Sequence, residues 1–104
     1  MEISKSDWQY FRSKTVEWQE AYMDKLIKEY AALLSENKYS SEKFWELERR
    51  INEDKHKSGV MLEMRRSAMI HNLIALINDG VISPDDLDGF SDEVKETVLA
   101  LLRR

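Results

Sequence analysis

The sequence predicts an all-α protein: a long antiparallel helical hairpin followed by one or two short C-terminal helices, forming one domain over residues 1–104. Oligomerisation is expected to complete the bundle. Three observations carry this. Only 3 glycines and 1 proline occur in 104 residues, beside abundant Glu, Lys, Leu, Arg and Ala, a composition that favours helix. Apolar residues recur in three- and four-residue steps along most of the chain. Two polar clusters, "SENKYSS" at 35–41 and "NDGVISPDD" at 78–86, read as stops.

The first helix is expected over 5–36, starting near Ser4 or Ser6, where "SDWQ" resembles a capping box closed by Gln9. Its stripe runs Trp8, Phe11, Thr15, Trp18, Tyr22, Leu26, Tyr30, Leu33, and a helix of this span is about 48 Å long. The second is expected over 41–79, with Phe44, Leu47 and Ile51 on one face. It must then cross the polar stretch 52–59 within "INEDKHKSGVMLEM". Ile51 and Leu62 stand eleven residues apart, which keeps them in phase to within roughly 20° on a continuous helix. Continuity is therefore the expectation, with Ser58-Gly59 as the place for a kink and a break at Gly59 as the alternative.

Folding the two helices back around residues 37–40 sets Trp18 opposite Gly59 and Tyr22 opposite Lys55, large against small and a lysine stem along a ring. Beyond Gly59 the apolar residues, from Val60 through Ile77, cover more than one helix face. One neighbouring helix cannot cover them all. Gly80 is placed as a C-terminal cap and Pro84 opens a short helix over 84–88. A last helix, 92–103, is capped by Ser91, with acids in its first turn and Arg103-Arg104 in its last. Its Val94, Val98, Leu101 and Leu102 can cover part of the 60–77 segment.

Composition narrows function by exclusion. With no cysteine there is no disulfide framework and no thiolate metal site. The opening "MEISKSDWQYF" lacks the features of a signal peptide and no run is long enough to span a bilayer, so a cytoplasmic protein without membrane contact is expected. The net charge is −4, and residues 81–104 hold three basic against six acidic groups, which opposes general attraction to nucleic acid. "DGVISPDDL" resembles half of a calcium-binding loop, but the opening ligand positions fall on Ala75 and Ile77, which offer no oxygen. His56 and His71 lack metal-ligand spacing, and Glu63 with His71 has no nucleophile beside it. Arg49-Arg50 and Arg65-Arg66 are interleaved with acids and read as a solvated face. No catalytic residue, metal or cofactor is assigned.

The expected function is a non-enzymatic interaction or regulatory protein acting through helix faces, with a second copy (a dimer) or another helical protein as partner. The alternatives are a nucleic-acid-associated regulator and an immunity-type protein that neutralises a toxin. Trp45 stands about 100° round the helix from its neighbour Phe44, so Trp45, Tyr39 and also Tyr10 are aromatic contact candidates. From the apolar segment come Met61, Met64, Ile70 and Ile74, the methionines offering an adaptable surface.

Overall fold

The computed structural model describes residues 1–103, and every regular element among them is helical. Four α-helices follow one another, α1 (Lys5–Leu34), α2 (Ser40–Asp54), α3 (Met69–Asn78) and α4 (Asp92–Leu102), with 3-10 turns at Arg66–Ala68 and Pro84–Gly89. No helix among the described residues is long and apolar enough to cross a membrane. Arg104, assigned above to the final turn, lies outside the described residues.

Helix α1 starts at Ser4, whose hydroxyl accepts from the Asp7 N–H at 3.1 Å. The residue three positions after the cap is thus Asp7, and the expected Ser6–Gln9 capping box gives way to it. The reason is tertiary. Asp7 is buried, and its carboxylate also accepts from the Ser91 N–H at 2.9 Å and the Ser91 hydroxyl at 2.7 Å. Ser91 is itself the N-cap of α4, accepting from the Val94 N–H. One carboxylate therefore ties the first turns of α1 and α4 together. Burial raises its pKa, and the Ser91 and Ser4 hydrogen bonds more than offset this, holding it below the usual aspartate range.

The expected continuous helix over 41–79 is not formed. Helix α2 stops at Asp54, residues 55–65 run as turns and extended chain, and α3 begins only at Met69. Two contacts hold the break. Asp79, just past α3, accepts from the Ser58 N–H at 3.0 Å and the Ser58 hydroxyl at 2.7 Å. Gly59 lies against the ring of Tyr22, where an added Cβ would stand 2.2 Å from a ring carbon. It is Tyr22, one turn along from the expected Trp18, that needs a glycine there, and Gln19 adds a hydrogen bond to the Ser58 carbonyl.

Breaking the chain answers the excess of apolar residues noted above. On a straight helix they would meet one neighbour; once redirected, α3 is covered by α4 and by the N-terminal part of α1. Met69, Leu73 and Leu76 become fully buried together with Phe11, Leu87, Val94 and Val98. Burying each such side chain contributes about 1.5–3 kcal/mol, which outweighs the few tenths per residue by which helix propensity favours a continuous run. The Ile51–Leu62 phase match has no structural role: Ile51 is exposed and Leu62 packs against the core.

Gly80 ends α3 in the left-handed region at φ 74°, letting the Val81 N–H reach the Leu76 carbonyl at 2.9 Å, as a C-terminal cap requires. Arg66 closes the other end of this head by donating to the Ile3 carbonyl.

Candidate interaction face

Away from the head, the C-terminal half of α1 packs against α2. The polar side chains that pin them together follow from the sequence: Arg50 and Asp54 are four apart on α2, and Glu29 and Tyr30 adjoin on α1. The Tyr30 hydroxyl donates to Asp54 at 2.6 Å, and the Arg50 guanidinium lies 5.4 Å from the centre of the Tyr30 ring. Arg50 also meets Glu29 at 3.3 Å and Asp54 at 3.5 Å. Burial and the bond to Asp54 push the Tyr30 phenol up to about 12. A phenol held protonated in this way is a hydrogen-bond donor, not a nucleophile.

Exposed apolar residues of this pair adjoin those pins, two of which, Tyr30 and Asp54, line the same groove. On α1, Val16, Met23, Ile27 and Leu34 face solvent, Ile27 with 60% of its surface exposed. On α2, Phe44 is 62% exposed and Ile51 is exposed as well. Met23, Ile27, Ile51 and Phe44 are joined along one face. A groove of about 210 Å³ is lined by Met23, Ile27, Tyr30 and Ile51, and an adjoining one of about 240 Å³ by Phe44, Leu47 and Ile51. Each is smaller than the ~300–1,000 Å³ common for small-molecule sites and suits inserted side chains instead.

The residues singled out from sequence fall in different places. Trp45 is 64% exposed and stands edge-on to Phe44, with ring centres 4.9 Å apart. Tyr39 is exposed in the turn before α2. Met61 and Met64 are exposed on the connection over 55–65 and share no helix face. Ile70 and Ile74 are partly buried against the core, so the apolar surplus that drew attention to them is largely covered within the chain. Tyr10 is also packed inward, edge-on to Phe90 at 4.9 Å and close against Gly89.

Met23, Ile27 and Leu34 escaped notice because they run beside the more conspicuous aromatic stripe. Their signal was the alternation of four- and three-residue steps through Val16, Glu20, Met23, Ile27, Tyr30 and Leu34, the seam spacing of helices that pack along their length.

Among the described residues no three His, Asp or Glu side chains are grouped to hold a metal ion. The carboxylates of the calcium-loop resemblance are engaged locally, Asp79 with Ser58 and Asp86 with the Ser83 N–H at 2.8 Å. His56 and His71 are both exposed.

Fold and face together define an all-helical chain with a packed head and a two-helix arm that leaves an apolar side open. No protein-family model, curated protein or solved structure matches it.

Proposed function

We propose that this chain is a non-enzymatic interaction or regulatory protein that acts by protein–protein contact, its α1–α2 arm forming an antiparallel hairpin whose apolar side is the contact surface. The observation that supports this is the continuous exposed run Met23, Ile27, Ile51, Phe44. Isolated exposed apolar residues are ordinary, but a contiguous patch of them marks an interaction surface. A partner there completes the helical bundle. The alternative of nucleic-acid association gains no support from α4, whose first turn presents Asp92 and Glu93 at the end that would have to approach phosphates or bases. An immunity-type role would operate through the same kind of protein contact, and only the partner would differ.

The test is site-specific photo-crosslinking in cells with a benzophenone amino acid replacing Ile27, and the same label at exposed Glu96 as control. Protein adducts from position 27 and none from position 96 are expected. An absence of adducts at position 27 would overturn the reading.

A further inference from the structure

We infer that the open side of the arm is covered by the same side of a second copy of this chain, the two arms stacking about a twofold axis into a four-helix bundle. This rests on the protein-contact reading above and names its partner.

The first argument is area. The chain exposes 7064 Å², whereas a compact monomer of 12.3 kDa exposes about 6,100 Å². The excess is on the order of 1,000 Å², comparable to the ~800 Å² that each partner contributes to a standard interface. Its location follows from the shape: the radius of gyration is 16.6 Å with extents 52 × 27 × 20 Å, against ~13 Å for a compact chain of this length. The arm is the part that projects.

The second argument is pattern. Met23, Ile27, Tyr30 and Leu34 on α1 and Phe44, Leu47 and Ile51 on α2 each follow alternating steps of four and three, the spacing by which knobs enter holes on a facing helix. Two antiparallel helices presenting such seams side by side are half of a four-helix bundle. An identical half supplies the rest, and a twofold contact closes without leaving a second apolar edge.

The third is charge. Asp54 and Lys55 line the groove beside Ile27 and Ile51, and Glu48 lines the one beside Phe44. Both signs border the face, so no single-sign field repels a second copy or calls for an oppositely charged partner.

Sedimentation or size exclusion with light scattering on the full chain, at two concentrations tenfold apart, reads the outcome. A mass of twice 12.3 kDa is expected, and Ile27→Glu with Phe44→Glu should weaken association by about 100-fold or more. Both residues are more than half exposed, so the monomer should keep its helical circular dichroism. Should that variant unfold, benzophenone at position 27 of the purified protein gives the second readout, and an adduct of two chains is expected. A monomer at both concentrations overturns the inference, as does a dimer that survives in the folded double variant. Adducts in cells to a protein of another mass overturn the second copy while leaving the protein-contact function standing; no adduct at all removes both.

Discussion

Helices α3 and α4, ten and eleven residues long, completely bury five side chains between them, Met69, Leu73, Leu76, Val94 and Val98, whereas α2, with fifteen residues, buries none. Both regions are amphipathic. The difference is the number of neighbours: α3 shares one buried core with α4, with Phe11 of α1 and with Leu87 of the Pro84–Gly89 turn, while α2 packs mainly on α1 and, among the described residues, adds none to that core. A helix with one neighbour can cover at most one flank of its apolar stripe, and the rest stays open. Stability should therefore be concentrated in the head and binding capacity in the arm.

The largest effect that could break this contrast is a core truncation. Leu73→Ala in the head should cost about 2–5 kcal/mol in urea denaturation, whereas Ile51→Ala in the arm should cost under about 1 kcal/mol for the monomer. Equal losses would mean that the arm is as tightly packed as the head.

The carboxylate that joins α1 to α4 comes next. Asp7→Asn should cost about 2 kcal/mol, since buried hydrogen bonds to a charged group contribute roughly 1.5–3 kcal/mol each and an amide retains only part of them. Asp7 and Asp79 both have folded pKa values held below the ordinary one, burial raising them and their serine hydrogen bonds lowering them further. Their contribution is thus fully present above the unfolded value of about 3.9 and is lost as pH falls through the lowered folded values. Chemical denaturation between pH 7 and pH 2 should show stability falling below about pH 4, with a shallower fall in the Asp7→Asn variant. An identical pH profile in the two proteins would contradict the assignment.

At the junction between head and arm, Gly59→Ala should cost about 1–3 kcal/mol because the new methyl meets the Tyr22 ring. Pairing it with Tyr22→Leu should recover part of that loss. A small effect is also expected within the arm: Tyr30→Phe removes the bond to Asp54 and should cost about 1 kcal/mol. Hydrogen exchange sharpens the comparison, with α2 amides of the monomer exchanging faster than those of α3 and α4. Slow exchange throughout α2 at low concentration would show that the arm is ordered without a partner.

Local sequence was informative wherever the physics was local. Gly80 at the end of α3, Ser91 at the start of α4 and the inward stripe of Phe11, Thr15, Leu26 and Leu33 on α1 were each legible from one turn of helix or its cap. The exposed seam was written in the same spacing code, but Trp8, Trp18 and Tyr22 beside it gave a stronger apolar signal.

Composition and periodicity by themselves determined that the chain is helical and set most helix ends, because propensity, capping and turn chemistry act over a few residues. Tertiary structure alone decided that the chain breaks after Asp54, that the Asp7 carboxylate turns to Ser91 of α4, and which apolar stripe remains open. Those outcomes depend on partners up to 84 residues away, Ser91 for Asp7 and Asp79 for Ser58. They depend also on the burial of α3 from several sides at once, a gain larger than the helical turns given up between residues 55 and 65.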